Sequence, residues 1–205
     1  MSLLFFDLDG TLVDSRQDLA ESINAVRATY NLPPLPQELI VSYIGDGIRI
    51  LLTRAIPEIP KDSIDEAVSR MAVIYGKHLL DNTTLFPNVK TTLQELSRRH
   101  TLILASNKTT EPSQIILEGL GIAQFFSEIC GSCMKPDPTV LLEALAKHHC
   151  SPADAWMIGD NHTDLAAAAN SGMHSCFCAF GFGRRKPVQP TDAIIQTFSQ
   201  LTLFF

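Results

Sequence analysis

Two carboxylates stand two residues apart directly after a short apolar run. Asp7 and Asp9 follow residues 3–6, which are all apolar, and a glycine comes next. An apolar run of this length before a glycine is typical of a strand that is buried on both faces. Ligands bind at the carboxyl edge of open α/β sheets, and a strand repeats every two residues, so both side chains can lean into one site.

Two carboxylates this close repel each other unless a cation lies between them or one of them is protonated. The pair formed by Asp7 and Asp9 therefore indicates a divalent metal site, an acid–base pair, or both. The alternative is an ordinary turn or helix cap, in which the sequence Asp-x-Asp-Gly also occurs. The later parts of the chain decide between these interpretations.

Polar side chains also end two later apolar runs. The run 101–105 leads into Ser106 and Asn107, and the run 155–158 leads through a glycine to Asp160. In a parallel sheet, the carboxyl ends of these strands share one edge with the end of the first strand. Each of these residues alone would be interpreted as a cap or a turn residue. Their joint occurrence at strand ends favours one polar cleft.

The chain divides into a helical segment and an α/β segment. Residues 16–86 place apolar side chains at helical spacing and contain no convincing strand. From residue 88 onward, strands alternate with helices, which predicts a parallel sheet with right-handed crossovers. Lys135 lies in a loop before one of these helices and brings a cation to the cleft. The last predicted helix covers residues 191–200.

Composition excludes several classes of protein. The chain has 205 residues, of which 45% are hydrophobic and 19% charged, so it can form one globular domain, or one domain with a sizeable insertion. The net charge is −6 and no stretch is strongly basic, which argues against nucleic-acid binding. No apolar run is long enough for a bilayer and no basic region precedes the first apolar stretch, so we expect a cytoplasmic protein without membrane contact. The number of cysteines is five, which is odd and argues against a disulfide framework.

Four motifs that occur in order along the chain resemble those of the haloacid dehalogenase superfamily of phosphotransferases. They are the segments Asp7-Leu-Asp9-Gly10-Thr11, Leu102-Ile-Leu-Ala-Ser106, Lys135-Pro136 and Gly159-Asp160-Asn-His-Thr-Asp164. The helical segment between the first two motifs is similar to the α-helical cap of that family. Residues 44–49 and 181–183 look like the phosphoglycolate phosphatase branch of it.

The resemblance implies an α/β fold with two parts. Residues 1–15 and 87–205 are expected to form the catalytic core, a Rossmann-like parallel sheet with helices on both faces. Residues 16–86 are expected to form an all-α helical cap that is inserted after the first strand.

The resemblance also implies roles for individual residues. Asp7 attacks phosphorus and forms an aspartyl phosphate, while Asp9 acts first as general acid and then as general base. Lys135 neutralises the developing negative charge. Mg²⁺ is the implied cofactor, since it prefers hard oxygen ligands. The implied metal ligands are Asp7, the backbone carbonyl of Asp9, Asp160 and, in support, Asp164. The implied substrate-binding residues are Gly10, Thr11, Ser106, Asn107 and Arg49.

We therefore expect a Mg²⁺-dependent phosphomonoester hydrolase that acts on a small phosphorylated metabolite, with phosphoglycolate as the first candidate. Arg49, beside the glycines of residues 45–47, is the predicted contact for a substrate carboxylate, and a solvated helix face is its alternative position. A phosphomutase of the β-phosphoglucomutase type is the main alternative function, because it uses the same four motifs. A phosphate-binding module without catalysis is the third hypothesis. We expect a monomer or a homodimer.

Cys130 and Cys133 have the spacing of a redox pair or of two zinc ligands. A structural zinc site needs four ligands, and the other close pair, Cys176 and Cys178, has the wrong spacing. A metal or redox role is therefore a minor hypothesis, as is oxidative inactivation through Cys133, which lies close to Lys135 in the sequence.

Overall fold

A parallel sheet forms the centre of the protein in the computed structural model, which describes residues 2–183 and 189–205. The strands of these residues are β1 (Leu3–Phe6), β2 (Val13–Asp14), β3 (Thr84–Leu85), β4 (Thr101–Ala105), β5 (Glu128–Cys130), β6 (Ala155–Gly159), β7 (His174–Cys178) and β8 (Ala193–Ile195). Six of them lie side by side in the order β5-β4-β1-β6-β7-β8, and each neighbouring pair is parallel. The chain thus builds outward from β1 on both sides, and ligands bind at such a switch point.

β1 is buried on both faces, as its apolar sequence predicts. Leu4 and Phe6 belong to one hydrophobic cluster, and Leu3 and Phe5 belong to a second cluster on the opposite face. The alternation follows from the two-residue repeat of a strand. The residue that follows β1 therefore leaves the sheet at its centre.

Helices cover both faces of the sheet. The α-helices of the described residues are α1 (Arg16–Thr29), α2 (Gln37–Val41), α3 (Ile48–Ala55), α4 (Ile64–Tyr75), α5 (Val89–Leu96), α6 (Thr110–Gly119), α7 (Thr139–Lys147) and α8 (His162–Ser171). α5 and α6 pack into the cluster that contains Phe6, while α7 and α8 pack into the cluster that contains Phe5. The expected doubly covered α/β sheet is confirmed. Among the described residues, no helix combines the length and the apolar character that a membrane crossing requires.

The segment between β1 and β4 is mainly helical, with one correction. α1 to α4 lie in it, but β2 and β3 pair as a two-stranded antiparallel ribbon at the points where the chain enters and leaves these helices. The prediction that residues 16–86 contain no strand is therefore wrong at Thr84–Leu85. Each strand of the ribbon has two residues, which is too short for an alternating pattern to be recognised.

The predicted last helix at 191–200 is also wrong. β8 occupies Ala193–Ile195 and pairs with β7 at the edge of the sheet, and a 3-10 helix follows at Phe198–Leu203. Ala193 and Ile195 are buried while Ile194 is exposed, which is the pattern of a strand. Three residues are too few to separate this pattern from a helical one in the sequence.

Candidate active site

Three carboxylates and one lysine meet at the carboxyl edge of the sheet. Asp7 follows β1, Asp160 follows β6, and Asp164 lies in the first turn of α8. Each of these three residues has a carboxylate oxygen that lies within 4.8 Å of a carboxylate oxygen of the other two. The Nζ atom of Lys135 lies 2.8 Å from Asp7 Oδ1 and 2.6 Å from Asp164 Oδ1. All four residues are buried, so the structure brings together residues that three separated motifs supply.

The electrostatics of this group are those of a site with excess negative charge. Burial raises the pKa of Asp7 to about 7; Lys135 opposes this shift, while Asp164 adds to it. Burial also raises the pKa of Asp160 well above its usual range, and the Asp7 and Asp164 carboxylates raise it further. Burial alone would lower the pKa of Lys135, but the attraction of Asp164 and Asp7 outweighs it and raises the pKa. One ammonium group is therefore shared among three buried carboxyl groups.

This set of donors fits a divalent cation. Hard carboxylate oxygens are the ligands that Mg²⁺ prefers. A divalent charge would offset the burial and the mutual repulsion that together raise the pKa of Asp7 and Asp160. Asp7, Asp160 and Asp164 are the residues that can hold the ion. The Asp9 side chain, by contrast, lies outside this group.

Gly10 and Thr11 position Asp160. Gly10 has φ +93°, and a Cβ atom there would overlap the Asp160 carboxylate. Thr11 Oγ1 donates to Asp160 Oδ1 over 3.4 Å, and the N–H of Gly183 donates to Asp160 Oδ2 over 2.6 Å. Glycine is required at position 10 by both its backbone conformation and this close approach. Neither Gly10 nor Thr11 is among the residues that line the cavity described below, and their predicted role in substrate binding stays a prediction.

Asp9 is held by a lysine that the sequence analysis did not single out. Lys108 Nζ lies 3.0 Å from Asp9 Oδ1 and donates to the hydroxyl of Tyr75 over 2.6 Å. It also lies 4.6 Å from the centre of the Tyr75 ring. Ser15 Oγ donates to the same oxygen of Asp9 over 2.5 Å. Since Tyr75 ends α4, this chain of contacts joins the helical segment to the carboxylate that is predicted to be the general acid.

The sequence contained a partial signal for Lys108. It follows Ser106 and Asn107 directly, at the same strand end, and its charge is unusual for a residue so close to a buried strand.

Burial raises the pKa of Tyr75 to about 12 despite the opposing effect of Lys108. Nothing in the sequence pattern places Tyr75 at the site, because that depends on how α4 packs.

Ser106 and Asn107 occupy the second strand end as predicted. Ser106 is buried and lines the cavity, and its hydroxyl accepts the N–H of Lys108 over 3.2 Å. The Asn107 amide donates to the carbonyl of Gly45 over 2.8 Å and to that of Lys135 over 3.1 Å. Its oxygen accepts the N–H of Lys135 over 2.6 Å. The Asn107 side chain therefore orients the lysine and holds the Gly45 loop.

Arg49 lies away from the cavity. It forms an ion pair with Asp65, its side chain is 57% exposed, and it is not among the cavity-lining residues. This position does not support the predicted contact between Arg49 and a substrate. Arg49 instead lies on a solvated helix face, which was the alternative. The nearby Gly45 has φ +123°, and a Cβ there would overlap Asn161, so this glycine serves a contact between protein segments.

A cavity of about 330 Å³ lies between the helical segment and the sheet edge. Asp7, Asp9, Ser106 and Asp160 line its polar end. Helices α3 and α4 line its other side, with Tyr75 next to Lys108. A substrate in this cavity can therefore contact the carboxylates and the helices at the same time.

No disulfide joins Cys130 and Cys133 in the structure. All five cysteines are free. Burial raises the pKa of Cys133 to about 11 and that of Cys130 to about 12, which disfavours the reactive thiolate. The thiol of Cys133 donates to the carbonyl of Cys130 over 3.2 Å.

Comparisons with known proteins agree with this geometry. Residues 4–178 match the family model described as haloacid dehalogenase-like hydrolase. A phosphoglycolate phosphatase of Haemophilus influenzae is 33% identical and covers 97% of this chain and 96% of its own, and one of Vibrio cholerae is 34% identical over 92% and 88%.

A solved structure has the same fold throughout. The crystal structure of a predicted phosphoglycolate phosphatase from Haemophilus somnus superimposes with a TM-score of 0.93 at 30% identity, and covers 100% of this chain and 97% of its own. The ordered motifs, the sheet and the helical insertion all correspond to one family. The chain belongs to the haloacid dehalogenase-like hydrolases.

Proposed function

We propose that this phosphatase is a Mg²⁺-dependent phosphomonoester hydrolase that works through an aspartyl phosphate on Asp7. The observation that carries the proposal is the buried group of Asp7, Asp160 and Asp164, with Lys135 Nζ within 2.8 Å of Asp7. A phosphatase of this kind needs a nucleophile next to positive charges that stabilise a bound phosphate dianion. Phosphoglycolate is the substrate in the names of the two relatives described above, and it belongs in the first panel tested.

The first half of the reaction transfers the phosphoryl group to the protein. A carboxylate oxygen of Asp7 attacks phosphorus in line, and the bond from phosphorus to the ester oxygen breaks. Asp9 gives its proton to the departing alkoxide, which leaves as the alcohol. Ser106 donates a hydrogen bond to a phosphate oxygen, and Lys135 balances the charge that accumulates beside Asp7.

The second half returns Asp7 to its original state. Asp9, now a carboxylate, takes a proton from a water molecule as that water attacks phosphorus, and inorganic phosphate is released. The contacts of Asp9 with Lys108 and Ser15 keep its side chain in place for both proton transfers. When bound to Asp7, Asp160 and Asp164, Mg²⁺ would supply positive charge that lets a carboxylate approach a phosphate dianion.

The test is a release assay with purified protein. We expect inorganic phosphate from several phosphomonoesters in the presence of Mg²⁺, and none after treatment with EDTA. Asp160→Asn should reduce release at least a hundredfold, whereas Asp154→Asn, a matched change at an exposed aspartate of the 3-10 helix that precedes β6, should not.

The same assay separates the alternatives. A phosphomutase would interconvert hexose phosphates without releasing phosphate, and a binding module would bind esters without turnover. Either result would contradict the proposed hydrolysis.

A further inference from the structure

The cavity joins a polar end to apolar walls. Opposite the carboxylates, the walls are formed by Ile48 and Leu51 of α3, Val68, Met71 and Ala72 of α4, and Ile115 of α6. A ligand whose phosphate lies at Asp7 must direct the rest of the molecule toward these side chains, because they close the space between the helical segment and the sheet edge.

Positive charge on these walls is scarce. Among the described residues that line the cavity, Lys108 is the one basic side chain. Its Nζ atom already contacts Asp9 at 3.0 Å and the Tyr75 hydroxyl at 2.6 Å. Glu111 also lines the cavity and adds a negative charge. A second anionic group that reached the walls formed by α3, α4 and α6 would therefore meet mainly apolar side chains and Glu111, and no unpaired cation among the described lining residues.

The arginines of helices α3 and α4 do not supply that charge. Each of them forms an ion pair with an acidic residue of the helical segment, and none of them lines the cavity. The pairs are Arg49 with Asp65, Arg54 with Asp46, and Arg70 with Glu66. Helices α3 and α4 thus direct their arginines away from the space that the leaving group would occupy.

We propose that the substrate is a phosphate monoester of an apolar alcohol, whose hydrocarbon part packs against α3 and α4 while its phosphate lies at Asp7. Burial of hydrocarbon against these side chains would favour such esters over esters with a terminal carboxylate, because a carboxylate there would lose its hydration without gaining a cationic partner from α3 or α4. A cavity of about 330 Å³ accommodates a leaving group of a few carbons. The inference rests on the proposed phosphatase activity.

A matched pair of esters tests the inference. Isobutyl phosphate and phosphoglycolate share one non-hydrogen skeleton, in which two methyl groups replace the two carboxylate oxygens. We expect kcat/KM to be at least tenfold higher for isobutyl phosphate. Across methyl, ethyl, propyl and butyl phosphates, kcat/KM should rise about fourfold with each methylene that becomes buried. This factor corresponds at 25 °C to the ~0.8 kcal/mol by which burial of one methylene group is favourable.

The opposite results would overturn it. A preference for phosphoglycolate, or no dependence on chain length, would refute the apolar leaving group while hydrolysis itself remained. Failure to hydrolyse any ester, p-nitrophenyl phosphate included, would refute the proposed activity and the inference with it.

A substitution in the wall sharpens the test. Ala72 lies on the cavity and is exposed, so a long side chain can be placed there without burying a charge. Ala72→Arg should lower the ratio of isobutyl phosphate to phosphoglycolate at least tenfold, whereas the neutral control Ala72→Met should not. An unchanged ratio in Ala72→Arg would contradict the placement of the leaving group against α4.

Three basic residues outside the described residues require their own control. Arg184, Arg185 and Lys186 follow Phe182 and Gly183, which line the cavity. Replacing all three with Gln should change hydrolysis of the two esters by the same factor. A selective loss of phosphoglycolate hydrolysis would show that they bind a carboxylate and would refute the inference.

Discussion

The two sides of the cavity use their charged residues in opposite ways. At the sheet edge, charges are buried and paired across distant parts of the chain, as Lys135 is with Asp7 and Asp164. On the helical side, the arginines of α3 and α4 are exposed and paired within the helical segment, as Arg70 is with Glu66 one helical turn away. Exposed pairs contribute about 0–1 kcal/mol each to stability, whereas breaking a buried pair costs about 3–5 kcal/mol.

This difference separates the reaction from the choice of substrate. The buried charges are fixed in position by the sheet, which suits a reaction that needs reacting atoms within a few tenths of an ångström of their place. The helical side presents apolar side chains to the cavity, and these can change size or shape without disturbing the carboxylates. Substitutions on the two sides should therefore affect different quantities.

The largest effect is expected at Asp7. Asp7→Asn removes the nucleophile but keeps the shape of the side chain, so kcat/KM should fall about 10⁴-fold or more. Phosphate release with p-nitrophenyl phosphate measures the loss, and circular dichroism checks that the variant is folded. Activity within tenfold of the original protein would contradict the role of Asp7.

Removing the shared cation should have the next largest effect. Lys135→Met leaves Asp7 and Asp164 without the ammonium group that lies between them. We expect kcat to fall about 10²- to 10³-fold, because one charged donor to the transition state is lost. Lys147→Met is the control, since Lys147 is an exposed lysine at the end of α7. Equal activity of the two variants would show that Lys135 has no part in the reaction.

Asp18 lies on the helical side but, unlike the arginines of α3 and α4, it is buried. Its carboxylate accepts hydrogen bonds from the N–H groups of Asn82 and Thr83 and from both of their side chains. Asp18→Ala should lower the free energy of unfolding by about 3 kcal/mol, because these donors lose a charged acceptor. Urea unfolding measures this, and Asp14→Asn, at a surface ion pair with Arg16, should cost less than about 1 kcal/mol.

The Asp18 contribution should also depend on pH. Burial alone would raise the pKa of Asp18, but the hydrogen bonds from Thr83 and Asn82 outweigh it and lower the pKa. Because the pKa is lower in the folded state, the carboxylate stabilises the protein above its unfolded pKa of about 4, and this stability is lost as the pH falls through the folded pKa. The difference in unfolding free energy between the original protein and Asp18→Asn should shrink below about pH 4. A difference that grows on acidification would contradict this assignment.

A smaller effect is expected where the two sides touch. Tyr75→Phe removes the hydroxyl that accepts a hydrogen bond from Lys108, and kcat should fall about tenfold because Lys108 and Asp9 are held less firmly. Tyr30→Phe is the matched control, since the Tyr30 hydroxyl has no hydrogen-bond partner among the described residues. If both variants retain full activity, the contact between α4 and Lys108 does not position Asp9.

The smallest effect is expected at Arg49. Its side chain is mostly exposed and paired with Asp65, so Arg49→Met should change kcat/KM for phosphoglycolate by less than about twofold and stability by less than about 1 kcal/mol. A tenfold rise in KM for phosphoglycolate with little change in kcat would restore the original prediction that Arg49 binds a carboxylate.

The sheet edge was predictable because its signals are local. A buried strand is visible as a short apolar run, and the polar residue after it is then placed at the edge by the geometry of parallel sheets. This reasoning located Asp7, Ser106 and Asp160, and the alternation of strands and helices anticipated the parallel sheet, while the helices on both of its faces were implied by the family resemblance.

The remaining features depend on packing between distant residues. Tyr75 reaches Lys108 only because of the way α4 lies over the sheet edge, and no spacing in the sequence encodes that contact. The same holds for Arg49, whose side of α3 is fixed by packing against α4. β8 and the β2–β3 ribbon were missed because two or three residues carry too little periodicity to identify a strand.

The central claim is that Asp7 carries the phosphoryl group during turnover. The most direct measurement is acid quenching of Asp9→Asn during reaction with p-nitrophenyl phosphate, followed by peptide mass spectrometry. The p-nitrophenolate leaves without needing a proton, so the first step can proceed, while loss of the general base slows hydrolysis of the intermediate. The account predicts a peptide with one added phosphoryl group on Asp7. Product release with an unmodified Asp7, or with the phosphoryl group on another residue, would contradict it.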